Sequence, residues 1–224
     1  MTGGGSSDHE VMDRVRAALG RRGTLVTTVP PPPPLPDEIV RLVRADANLP
    51  ELFARRAGEL KMKVKSSSRD AAAGEIVAFF RQTPAKRIAL SNSPVLEHLK
   101  VLDALSESGF ETKRWDQLTL DELYDFDAAV TVVDYAIAET GTLVIKPTRE
   151  HGRALSLVPM YHVAVVERRQ FLPDMIDLFE RLKNDEQARS NVILISGPSK
   201  TADIEMNVVT GVHGPNVVLT VIVD

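Results

Sequence analysis

The sequence predicts an α/β domain built on a mixed, mostly parallel sheet flanked by helices, with an N-terminal helical extension. Three observations carry this. From Lys61 to Val133, short apolar runs alternate with stretches of helical periodicity, the pattern of strands joined by crossover helices. Beyond Val133 strong strand candidates follow one another with too little helix between them for standard crossovers, so some pairings must be antiparallel. Clusters of Gly, Ser, Thr and Pro punctuate the strand exits, where loops collect at one edge.

In chain order, Ser7 and Glu10 have capping-box spacing, and Val11, Val15 and Leu19 follow at helical intervals, so a short amphipathic helix should end at Gly20. Pro30 to Pro34, with Pro36 after Leu35, form a polyproline II segment of roughly 20 Å. It reads as a stiff linker, with recognition by a proline-binding domain as the alternative. The first helix then packs on the same core or on a second subunit, which leaves a homo-oligomer open. Residues 1–36 are accordingly a flexible helix and linker, and 37–224 a single α/β domain with a helical lead-in over 37–60.

Asp37 to Asp46 and Pro50 to Leu60 read as a helix pair, the first burying Ile39, Leu42 and Val43 and the second Leu52, Phe53, Ala57 and Leu60. Lys61 to Lys65 suits an edge strand guarded by its lysines. Helices are expected over Ser68–Gln82, Pro94–Ser108, Leu120–Phe126 and Pro173–Lys183. Strands are expected over Arg87–Ser91, Phe110–Trp115, Ala128–Val133, Thr142–Ile145, Val163–Val166, Val192–Ile195 and Val217–Val223, with Val192–Ile195 buried.

Composition excludes several functions. A net charge of -4 with scattered Lys and Arg argues against nucleic acid. No apolar run reaches the ~18 residues of a spanning helix, and the first residues lack a signal-peptide core, so a cytoplasmic protein with no membrane insertion is expected. With no cysteine, the chain has no disulfide, no thiolate nucleophile and no cysteine-held zinc or iron–sulfur centre. Its five histidines, His9, His98, His151, His162 and His213, show no metal-binding spacing, and no G-x-G-x-x-G announces a flavin dinucleotide. Lys200 and Thr201 resemble a phosphate loop, but Leu194 and Ser199 stand where its glycines belong.

Two stretches carry candidate chemistry. In Ile195 to Pro215, a strand exit at Ser196, Gly197 and Ser199 hands over to a helix expected from Thr201, with Asp203 and Glu205 in its first turn and Gly211 stopping it. Such an arrangement aims free N–H groups at an anion, although Asp203 and Glu205 would offset the dipole and suit a ligand bearing hydroxyls. A well-capped connection and a structural His213 are the plain alternatives. In Asp134 to Ile145, Glu139 precedes Thr140, Gly141 and Thr142; it is a nucleophile, a general base or a turn cap. The candidate ligand-binding residues are therefore Thr140, Gly141, Thr142, Ser196, Gly197, Ser199, Lys200, Thr201, Glu205 and Gly214. Glu139, Asp203 and His213 are the candidates for proton or acyl chemistry.

AIAETGTLVI (Ala136 to Ile145), RALSLVP (Arg153 to Pro159) with His162 three residues on, ISGPSKTADIE (Ile195 to Glu205) and GVHGP (Gly211 to Pro215) together resemble the lactate utilization protein C, or LUD domain, family. Ala129 departs from the glycine expected there. The resemblance implies a sheet similar to the superfamily of ribose-5-phosphate isomerase, glucosamine-6-phosphate deaminase and the CoA transferases. It also implies a part in oxidising L-lactate to pyruvate alongside iron–sulfur partner proteins, with a small anionic metabolite as ligand. This chain then carries no cofactor, and any clusters sit in the partners. By analogy with CoA transferases, Glu139 would attack an acyl group. An independent acyl-CoA transferase-like or sugar-phosphate isomerase-like enzyme and a non-catalytic docking subunit are the alternatives.

Overall fold

A computed structural model describes residues 6–20, 41–43, 46–149, 151–183, 185, 191–202, 208–210 and 214–224. The chain divides into two compact units, Met1–Asp37 and Glu38–Asp224. In the first, helix α1 spans Ser6–Ala18, starting just ahead of the expected cap, and Gly20 beyond it takes φ 66°. The proline run and the side chains of Ser7 and Glu10 lie outside the described residues.

Among its described residues the second unit holds six further α-helices, α2 Leu49–Glu59, α3 Arg69–Phe80, α4 Pro94–His98, α5 Val101–Glu107, α6 Leu120–Leu123 and α7 Met175–Lys183. Its strands are β1 Lys63–Ser67, β2 Arg87–Leu90, β3 Glu111–Arg114, β4 Ala128–Val132, β5 Tyr135–Ile137, β6 Thr142–Ile145, β7 Tyr161–Glu167, β8 Phe171–Leu172, β9 Ile193–Ile195, β10 Lys200–Ala202, β11 Val208–Thr210 and β12 Val217–Val223. Six form a sheet in the order β1-β12-β7-β4-β2-β3, parallel at every step. Antiparallel pairings occur in a second sheet, β8-β5-β6-β9, in which β5 pairs β6 and β6 pairs β9 antiparallel, and in a separate two-stranded sheet of β10 and β11. Lysine-bearing β1 is an edge strand, as expected.

Alternation along the strands sorts the core into two layers. Ile88, Leu90, Ala128, Val130, Val163, Val165, Leu219 and Val221 face α3, α4 and α5. Ala164, Val166, Val218 and Ile222 face the other way, against Phe53 and Ala57 of α2 and against Ala136, Leu143 and Ile145 of the second sheet. The far side of that sheet, through Ile137 and Val144, is sealed by Leu178 of α7. Such double coverage is what a parallel sheet needs to keep its apolar strands dry.

Several local expectations give way to tertiary structure. Residues 41–43 are not helical, and Leu42, expected to be buried, is 80% exposed; Arg41 instead reaches Asp174 and Asp177, at 3.1 and 2.7 Å. The single helix expected over Pro94–Ser108 breaks at Lys100, which adopts a left-handed φ of 53°. Strand β9 is not buried: Leu194 is 47% exposed. Among the described residues no helix is long and apolar enough to cross a membrane.

Candidate functional site

The β5–β6 hairpin pairs Ile137 with Thr142, so Ala138–Gly141 form the turn. Its backbone is largely spoken for. The N–H groups of Ala138, Glu139 and Gly141 donate to the carbonyls of Leu172, Pro173 and Ile137 at 2.8, 3.0 and 3.0 Å. Gly141 takes φ 65°, and a Cβ there would stand 2.4 Å from the Ala57 nitrogen. The glycine therefore admits the backbone of α2, and the space expected for a ligand is filled by protein. Glu139 is half-buried and lines an open cleft of about 670 Å³ with Asn48, Glu51, Arg55 and Arg56. Its carboxylate thus faces a mixed set of charges on α2, not the apolar setting suggested by its sequence neighbours.

The two candidate loops do meet. The Thr140 hydroxyl donates to Thr142 Oγ1 at 2.8 Å, and Thr142 Oγ1 lies 2.8 Å from Ser196 Oγ. Antiparallel pairing of β9 with β6, Ile195 opposite Leu143, is what brings Ser196 there. Gly197, at φ 97°, packs against Leu60, whose carbonyl would be 2.6 Å from an added Cβ. The Ser199 N–H donates to the Pro215 carbonyl at 2.9 Å, and Gly214 packs against Ser199. This junction lies beside the residues leading into β1 and β12, where the parallel strands begin.

The helix expected from Thr201 is replaced by an extended pair: β10 and β11 run antiparallel, with Lys200 opposite Thr210 and Ala202 opposite Val208. The β-branched Val208, Val209 and Thr210 favour that pairing, and a local capping signal cannot outweigh a strand partner. No helix dipole is then available at Thr201 to hold an anion. Asp203, Glu205, Gly211 and His213, with the side chains of Lys200 and Thr201, lie outside the described residues.

The LUD domain family profile matches residues 43–223, four-fifths of the chain and both candidate loops. This chain belongs to the LUD domain family. A lactate utilization protein C of Bacillus pumilus is 36% identical over 137 residues, covering 55% of each chain, so the match spans about half of that relative. A second, from Halalkalibacterium halodurans, is 29% identical over 175 residues, 75% of each. The crystal structure of a DUF162 family protein from Deinococcus radiodurans superposes with a TM-score of 0.62 at 23% identity, covering 85% of this chain and all of that one, and shows the same fold.

The LUD domain also buries polar groups that periodicity could not reveal. His162 on β7 is fully buried, its Nε2 lies 2.8 Å from Thr131 Oγ1 on β4, and its Nδ1 has no partner among the described residues. Burial, with a smaller push from His151, lowers its pKa to about 3; burial alone lowers that of His151 to about 4. Both are neutral imidazoles at neutral pH and too weakly basic to serve as general bases there. Lys146 is clamped between Asp185 and Asp134, at 2.5 and 3.5 Å; burial opposes its charge, but the Asp185 hydrogen bond and the two carboxylates outweigh it and raise the pKa. Among the described residues no group of His, Asp and Glu is arranged to hold a metal ion. The missed signal near the sheet's other end is Ser91-Asn92-Ser93-Pro94, a polar run between a strand and a helix start.

Proposed function

We propose that this LUD domain acts in lactate utilization, as a component of an L-lactate to pyruvate oxidation system working with iron–sulfur partner proteins, and that it binds a small anionic metabolite beside the junction of its two loops. The role follows the names of its relatives, lactate utilization protein C. The observation that carries the site is the hydroxyl chain Thr140–Thr142–Ser196, which joins two distant sequence stretches next to Glu139. Arg55 and Arg56, which line the same cleft as Glu139, supply positive charge for a carboxylate, Arg56 exchanging its 3.2 Å contact with Glu59, and Glu139 supplies a base or nucleophile. Oxidising lactate releases an electron pair. With no cysteine here to hold a cluster, its acceptor belongs to the partners.

Growth tests the reading. A strand of cells lacking only this chain should fail on L-lactate as sole carbon source and recover with the intact chain, while Arg55→Gln with Arg56→Gln should not restore growth. Undiminished growth on lactate without the chain would overturn the role; full rescue by the folded double variant would overturn the site.

A further inference from the structure

The connection leaving β2 crosses the sheet face that carries α3, α4 and α5, whereas the one leaving β4 crosses to the opposite face and enters the second sheet. Strands β2 and β4 are neighbours. Between them, at their carboxyl ends, the fold has a topological switch point, the position at which open α/β sheets take ligands. The end of the sheet used here is the opposite one from the junction of the ETGT and SGPSK loops.

At that point the chain reads Leu90-Ser91-Asn92-Ser93. Ser91 is only 3% exposed, and among the described residues its Oγ has no hydrogen-bond partner; the buried Asn92 Oδ1 has none there either. Each buried polar atom left unpaired is destabilising, so a ligand that hydrogen-bonds here would relieve that cost. Beside that point, between the ends of β2 and β3 and helices α4 and α5, Ser91 lines a cleft of about 270 Å³ together with Ser93, Leu96, Glu97, Lys100 and Arg114. Arg114 ends β3 and has Glu97 at 2.8 Å; Lys100 holds the left-handed φ of 53° that breaks the helix, a conformation shared in the described residues only by Lys61 among non-glycine residues. Asp103 also lines the cleft, so two cations face two acids. An incoming anion therefore exchanges with Glu97 on Arg114.

We propose that this cleft binds a small oxyanion, the carboxylate or phosphate group of a metabolite, with the Ser91 hydroxyl donating to it and Arg114 and Lys100 supplying charge. The site is separate from the one beside Glu139 and stands or falls by itself.

Amide NMR titration of the full chain, at constant ionic strength held with chloride, tests it with inorganic phosphate and L-lactate as probes. Saturable shifts should centre on Ser91, Ser93, Lys100 and Arg114. Arg114→Gln should weaken binding by about tenfold or more, and Glu97→Gln should tighten it by removing the competing carboxylate. Ser91→Ala should weaken binding without lowering the melting temperature, and Lys86→Gln, at the opposite end of β2, should change nothing. Saturation by phosphate alone identifies a phosphate-bearing ligand, and saturation by lactate a carboxylate. Shifts that do not saturate with either probe, or affinities indifferent to both Arg114→Gln and Glu97→Gln, would overturn the proposal.

Discussion

Thr131 and His162 sit on neighbouring parallel strands with Oγ1 and Nε2 2.8 Å apart, both fully excluded from water. That pair makes the folded state sensitive to acid. In the unfolded chain a histidine has a pKa near 6.5, whereas burial holds folded His162 to about 3. The unfolded state therefore binds more protons between these values, and stability present above pH 6.5 is lost as pH falls toward 3. Between pH 7.5 and 5, His162 should account for about 2 kcal/mol of that loss. Urea melts across this range measure it, and His162→Gln should reduce the slope, leaving the share of buried His151; an unchanged slope would show that His162 titrates alike in the folded and unfolded states.

The glycines separate packing from flexibility. Gly141→Ala places a methyl into the α2 backbone at a positive φ and should cost about 3 kcal/mol or more. Gly74, within α3, has nothing within 4 Å of an added Cβ, so Gly74→Ala should stabilise by about 0.5 to 1 kcal/mol. Thermal melts of the two variants should shift in opposite directions; a tolerated Gly141→Ala would refute the contact between turn and helix.

Glu139 tests the candidate site. It is half-buried in a turn held by backbone hydrogen bonds, so Glu139→Gln should change stability by no more than about 0.5 kcal/mol. Growth on lactate should nevertheless fall sharply if its carboxylate does chemistry. A variant that melts earlier yet supports full growth would make Glu139 a turn residue only.

The N-terminal unit should be dispensable for folding. The division of the chain falls at Asp37, and the sheet with both of its core layers comes from later residues. Removing residues 1–36 should leave a cooperative urea transition with the same denaturant dependence. A broadened or lost transition would tie α1 to the core.

Strands such as Ala128–Val132, Thr142–Ile145 and Val217–Val223 were legible in the sequence because continuous apolar, β-branched runs bounded by turn residues have few other fates. The same holds for the stripe of Phe53 and Ala57, the lysine-guarded edge of β1 and the closeness in kind of the ETGT and SGPSK loops. What sequence spacing could not decide rests on contacts between distant residues. Thr201 carries a sound helix-start signal yet pairs with Val209, because a ladder partner outweighs a cap. Gly141 and Gly197 look alike as ligand-facing glycines, but only the placement of α2 shows that its backbone fills the space beside them. Ser91 reads as an ordinary strand end until the packing of α4, α5 and β3 around the end of β2 buries its hydroxyl and leaves a cleft beside it. Local patterns determined which segments become strands and helices; the order in which those segments pack determined which polar groups lost water and where a ligand has room.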